Sequence, residues 1–262
     1  MPERASYAAP APAPASPGRP AHPARPALGG PPPHAVYRTL LAAFGPQRWW
    51  PAATVWEIVA GAILAQGTAW RQVEAALALM KERGLMEPER ILEADDDALH
   101  AALRPAGYFR RKAERLRLAA AEVERFGSLA GWLDAARRLA DDALRRRFLE
   151  LPGVGPETAD DLLLYAAGRA AFVADTYARR IGARLGWFPP DVRYEDARAA
   201  MMAAWRASTT EWAELHALLV ELGKRHCRAR RPDCAVCPLR AGCAHATGRA
   251  PAFPAVRRPR GA

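Results

Sequence analysis

The stretch LPGVGPETADD, Leu151 to Asp161, decides how this chain is read. Gly153-Val154-Gly155 is a turn that lets backbone amides come close to a ligand, and Pro156 stands where the first turn of a helix accepts proline. A helix, this turn and a second helix would leave free N–H groups pointing outward. With the positive end of the helix dipole, such groups take a phosphate without using a side chain. An ordinary glycine turn between two helices fits the same letters. Glu157 is the puzzle, an acid beside a phosphate grip in a chain with 38 lysines and arginines.

Outward from the hairpin the pattern is helical. Trp56, Val59, Ala60, Ile63 and Leu64 fall on one face at helical spacing, and Ala113, Leu116, Ala120 and Val123 repeat it. Further helices are expected over about 36–44, 70–83, 138–150, 156–167, 176–185, 194–206 and 211–224, with no strand-like alternation longer than a few residues. The fold class is all-α. Residues 1–33 are dominated by alanine and proline, which block helix and sheet and offer little surface to bury, so a disordered tail is expected there. Residues 247–262 read as a second, basic tail.

At 262 residues the chain builds one large domain or two small ones. The formal net charge is +10, carried almost wholly by arginine, since only Lys81, Lys112 and Lys224 are lysines. Arginine richness follows genome composition as readily as function, yet a basic chain favours nucleic acid over an acidic partner. No membrane span is expected: the most apolar run, ATVWEIVAGAILAQGTAW, is interrupted by Glu57 and Gln66 and reads as a buried helix. The N-terminus lacks the proline-free apolar core of a secretion signal. The expected setting is cytoplasmic, at the nucleoid, and a monomer is expected.

All four cysteines lie in CRARRPDCAVCPLRAGC, as Cys227, Cys234, Cys237 and Cys243, spaced C-x6-C-x2-C-x5-C. In a cytosolic chain so tight a cluster favours a metal site over disulfides. Spacing alone leaves an iron–sulfur cluster and zinc open, and the single short step leans toward iron–sulfur. Arg228, Arg230 and Arg231 lie between the first two cysteines, where a metal would hold a basic loop in one shape suited to a phosphate backbone.

In FVADTYARRIGARLG, Asp175 precedes the apolar periodicity of Tyr177, Ile181 and Leu185. A plain N-cap explains a lone aspartate there. The same place favours negative charge, which suits a group that must stabilise a cation. Trp49 and Trp50 precede Pro51, and two adjacent tryptophans cannot both face one helical core, so at least one has another task. Trp70 adds a third aromatic.

Taken together, hairpin, aspartate and cysteines in this order resemble the endonuclease III group of helix-hairpin-helix DNA glycosylases. The resemblance runs over about residues 35–246 and is carried by AILAQGT (62–68), AGYFRRKAERL (106–116), LPGVGPETA, VADTY and the four cysteines. It implies damaged DNA as partner and a [4Fe-4S] cluster on Cys227, Cys234, Cys237 and Cys243. It also implies two lobes: a six-helix barrel with the hairpin over 54–171, and a cluster lobe of 34–53 with 172–246, with the DNA cleft between them. Leu151, Gly153, Val154, Gly155, Arg228, Arg230 and Arg231 would meet the DNA backbone. Gln66 matches the residue that fills the gap left by an extruded base, and Tyr108 falls at the wedge position, where an aromatic replaces the usual leucine-like side chain. Gly67 departs from the larger residues common there.

Bifunctional members of the family carry a lysine at the position of Glu157, and its amine forms a Schiff base with the sugar. Glutamate cannot. The resemblance therefore implies a monofunctional glycosylase with Asp175 as catalytic carboxylate. WWP, GAILAQGTAW and GPETADDLLLYA are similar to the 3-methyladenine branch, whose pocket is aromatic. Trp49, Trp50 and Trp70 are then pocket candidates, with Lys224 facing the pocket or a phosphate. An alkylated purine is already cationic, leaves easily and stacks on tryptophan. Alternatives are a bifunctional enzyme on oxidised pyrimidines, with Lys224 as its amine, and a DNA-binding scaffold without catalysis. The adenine-mismatch branch is not favoured, because the 19 residues after Cys243 are too few for its extra domain.

Overall fold

The computed structural model describes residues 28–250; the expectations for most of the N-terminal tail and for residues 251–262 lie outside them. The described residues form thirteen α-helices and no strand. They are α1 (Pro33–Phe44), α2 (Val55–Leu64), α3 (Trp70–Glu82), α4 (Pro88–Glu93), α5 (Asp96–Leu103), α6 (Phe109–Glu124) and α7 (Leu129–Arg138). After them come α8 (Asp141–Leu149), α9 (Pro156–Asp161), α10 (Thr176–Leu185), α11 (Tyr194–Ala204), α12 (Thr209–Arg225) and α13 (Ala244–Thr247). They divide into two compact units, 50–169 and 28–49 with 170–250.

In the first unit α2 is the spine. All its residues are buried, and it packs against α3, α6 and the π turn Leu162–Ala166 that continues α9. Thr54 caps it, its hydroxyl accepting from the Glu57 amide at 3.1 Å. The apolar load of Trp56, Ile58, Ile63 and Leu64 contributes about 1.5–3 kcal/mol per side chain. Glu57 is buried among them and tolerable because Lys81 pairs with it and the Ala53 amide donates to it at 2.8 Å. Periodicity does not announce α4 and α5, which are too short to show it; Asp95 starts α5 by accepting from the Ala98 amide at 2.7 Å. The helix expected over 138–150 is α8, at Asp141–Leu149, whereas α7 just before it is not announced by the periodicity.

In the second unit α12 packs on α1 and α10 around an aromatic core. Phe172 and Trp205 each lie against Trp212, with ring centroids 5.4 and 5.0 Å apart. Ser208 and Glu211 close a reciprocal capping box at the start of α12. Residues 28–32, expected as the end of a disordered tail, are placed here: the Trp187 indole donates to Pro31 O at 2.6 Å. A buried tryptophan N–H usually finds an acceptor, and here the proline-rich segment supplies one.

The hairpin is braced from below. Arg145 of α8 grips Asp160 of α9 with two bonds, Nε to Oδ1 at 2.8 Å and Nη2 to Oδ2 at 3.0 Å, and the aspartate is fully buried. Removing one partner of a buried pair strands the other charge. Arg145→Met should therefore lower stability by about 3 kcal/mol. A urea midpoint equal to that of the parent would show that this pair does not hold the hairpin.

Candidate active site

The turn expected between two helices is present. Gly153 sits at φ 80°, a left-handed conformation that suits glycine, and Gly155 is the N-cap of α9. The amides of Leu151 and Val154 are spent inside the turn, on Phe148 O at 3.2 Å and Leu151 O at 3.0 Å. Those of Gly153 and Gly155 have no acceptor among the described residues. Of the four amides expected to meet a phosphate, these two remain available, at the positive end of α9. Glu157 is exposed in the first turn of the same helix, where the dipole accepts it.

Gln66 follows α2 and lies on the hairpin. Its Nε2 donates to Gly153 O and to Thr158 Oγ1, both at 3.0 Å, and its Oε1 accepts from Arg115 of α6. Tyr108 is the N-cap of α6 at φ 45° and is 74% exposed. A bulky non-glycine residue held in that region while presenting its ring to solvent is the strained, displayed geometry found at functional positions.

Of the expected pocket tryptophans, Trp50 and Trp70 meet edge to face with centroids 5.2 Å apart. Tyr165, on the π turn, completes this group at 5.1 Å from Trp50 and was not foreseen. It is hidden in an unbroken apolar run, LLLYA, that shows no period. Trp50 is buried, whereas Trp49 is half-buried and falls in the second unit. The adjacent pair thus splits between units. Lys224 is exposed near the end of α12.

Asp175 is the N-cap of α10. Its Oδ1 accepts from the Ala178 amide at 2.6 Å, and His216 Nε2 of α12 lies 3.8 Å from Oδ2. His216 is buried and was also not foreseen, although it falls on the apolar register of α12 with Trp212, Leu215 and Leu219. The two helices approach closely at Gly223, where any side chain would run into the Tyr177 ring.

Further along, α10 serves the cysteines. Arg180 Nε donates to Cys227 O at 3.0 Å. The Arg184 guanidinium donates to Cys227 Sγ at 3.1 Å, Arg228 O at 2.7 Å and Ala229 O at 3.0 Å. The loop carrying Arg228, Arg230 and Arg231 is thereby fixed, and all three arginines are exposed. Burial first, then the charges of the other cysteines, push Cys237 up, and burial with Cys227 and Cys234 does the same at Cys243. The cysteines thus lie near enough for their charges to disfavour one another as thiolates. No three His, Cys, Asp or Glu side chains among the described residues group as a site for a single metal ion. Four cysteine sulfurs with a guanidinium hydrogen bond to one of them suit a larger iron–sulfur group. Beside them, a cleft of about 790 Å³ is lined by Arg179, Arg180, Arg184 and Arg249 without a carboxylate, a surface for polyanions.

Residues 60–207, more than half of the chain, match the HhH-GPD superfamily of base excision DNA repair proteins. A Methanocaldococcus jannaschii protein named as a DNA repair glycosylase is 38% identical over 212 residues, covering 80% of this chain and 94% of that one. Endonuclease III of Sulfolobus acidocaldarius is 28% identical over 190 residues, 72% and 81% of the two chains. Among solved structures, a non-covalent endonuclease III–DNA complex superposes with TM-score 0.68 at 21% identity, covering 82% of this chain and 95% of that one. A Helicobacter pylori 3-methyladenine DNA glycosylase bound to 1,N6-ethenoadenine does so with 0.64 at 22%, covering 74% and 98%. The chain therefore belongs to the HhH-GPD superfamily of base excision DNA repair proteins, as a DNA repair glycosylase. No described helix is long and apolar enough to cross a membrane.

At Gly153 the backbone angle and the Arg115 side chain packed against the Cα both exclude a larger residue. Gly153→Ala should cost about 1–2 kcal/mol locally. The hairpin amides should then exchange with solvent several-fold faster than in the parent; unchanged exchange would mean that the turn tolerates a side chain.

Proposed function

We propose that this glycosylase is monofunctional and removes alkylated purines from DNA by hydrolysis. The observation that carries the reading is the pairing of a fixed carboxylate, Asp175, with the absence of an amine at Glu157. The Ala178 amide holds Oδ1 in place, so the carboxylate meets the developing positive charge of the sugar without reorganising. Its second oxygen orients the attacking water or takes its proton. Glycoside hydrolases set carboxylates against the same kind of charge. With no lysine at position 157, no Schiff base forms there, and the product is an abasic site rather than a cut strand.

Damaged DNA is the partner. The amides of Gly153 and Gly155 take a backbone phosphate, and Arg228, Arg230 and Arg231 neutralise others. Glu157 does not oppose this, because amides rather than side chains face the phosphate. Gln66 and Tyr108 open the duplex. The Trp50–Trp70–Tyr165 group supports the alkylated-purine assignment, since a cationic base gains most from stacking on electron-rich rings. The 3-methyladenine glycosylase likeness points the same way, though as fold alone. Trp49 and Lys224 stay candidates for the pocket rim.

Cys227, Cys234, Cys237 and Cys243 would hold a [4Fe-4S] cluster, which supplies rigidity to the loop when bound. Arg184 and Arg180 would act with it, binding the loop carbonyls and Cys227.

Asp175→Asn removes the charge and keeps the shape. Release of free base from methylated duplex, measured by chromatography, should fall by about 100-fold or more. Duplex affinity should change little. Unchanged release would remove Asp175 from the reaction.

A further inference from the structure

Among the described residues Lys112 is the only lysine or arginine in the core, 2% exposed, and the partners of its ammonium are neutral oxygens. Its ammonium donates to Leu64 O at 2.7 Å, to Ala106 O at 2.8 Å and to Thr68 Oγ1. Thr68 Oγ1 donates in turn to Ala106 O at 2.7 Å. Burial, helped by the Arg115 charge, pushes Lys112 down to about 8. An ammonium has three hydrogens and this site offers three oxygens, so the match is complete. Desolvation nevertheless opposes the charge, and an apolar side chain of similar length would fill the space without that cost.

What the charge achieves is shown by where its acceptors lie. Leu64 stands two residues before Gln66, and Thr68 two after it. Ala106 stands two residues before Tyr108. One buried cation therefore ties the loop that displays Gln66 to the turn that displays Tyr108. Tyr108 also needs such support, since its left-handed backbone persists only if its surroundings dictate it. Arg115, three residues further along α6, extends the frame by holding the Gln66 side chain on the hairpin.

We propose that Lys112 is a positioning residue for base extrusion, locking the Gln66 loop to the Tyr108 turn so that both side chains enter the duplex as one unit. The inference rests on the duplex-opening roles given to Gln66 and Tyr108, not on which base is excised.

The test uses the whole protein and a duplex carrying 2-aminopurine beside a tetrahydrofuran abasic analogue, a probe that brightens when unstacked and that needs no excision. The parent should raise the fluorescence. Lys112→Met loses three charge-assisted hydrogen bonds, and at saturating protein the extrusion equilibrium should fall by about tenfold or more. Its helical circular dichroism should stay close to that of the parent, even with a lower melting temperature from the acceptors left without a donor. Thr68→Val, which removes one acceptor and the link to Ala106, should show a smaller loss, and it decides the matter if Lys112→Met does not fold. A full fluorescence rise in either folded variant would overturn the proposal, and so would a parent that binds the duplex without any rise. Extrusion without release of any alkylated base would instead count against the excision chemistry alone.

Discussion

A carboxylate that must meet positive charge in a transition state has to be held before the substrate arrives, and here one backbone amide does the holding. The Ala178 N–H fixes Asp175 Oδ1 at 2.6 Å because the first amides of any helix need acceptors. The bond that starts α10 therefore also aims the carboxylate proposed to act in catalysis. Everything that positions α10 then positions Asp175. Gly223 lets α12 come close enough to bring His216 toward Oδ2, and at the other end of α10 Arg180 and Arg184 clasp the segment around Cys227. A single ten-residue helix joins the Asp175 carboxylate to the cysteine loop.

The first unit solves a different problem, which is to keep polar, exposed loops in register on an apolar frame. It does so with a few buried or half-buried charges rather than with more apolar contact. Arg145 and Asp160 tie the two helices of the hairpin, Arg115 and Gln66 tie the hairpin to the end of α2, and Lys112 ties that end to the turn before α6. Each of these groups is costly to bury alone and tolerable only when fully bonded. The cost is consistent with specificity of loop placement rather than net stability.

Much of this was legible in the letters. LPGVGPETADD announces a glycine turn with a proline-started helix, and Asp175 reads as a cap because the apolar period begins just after it. The helix of Trp56 to Leu64 is evident because every buried position but Glu57 is apolar. Three features were harder to see, each for a physical reason. Lys112 looks like part of a solvated FRRKAER face, although it stands four residues before Leu116 on the buried register; a charge at an apolar-face position was the available signal. His216 is disguised in the same way. The four hairpin amides looked equivalent in sequence, and only the turn's own hydrogen bonds separate Gly153 and Gly155 from Leu151 and Val154. The split of Trp49 from Trp50 depends on where one unit gives way to the other, which no local pattern records.

The most direct test of base removal by hydrolysis is strand breakage in a methylated duplex treated with the protein, compared before and after hot alkali. The account predicts intact strands until alkali is added and breaks at alkylated purines afterwards, because the chain supplies a carboxylate at Asp175 and no amine at Glu157. Breaks that appear without alkali would contradict it and place a reactive amine in the site.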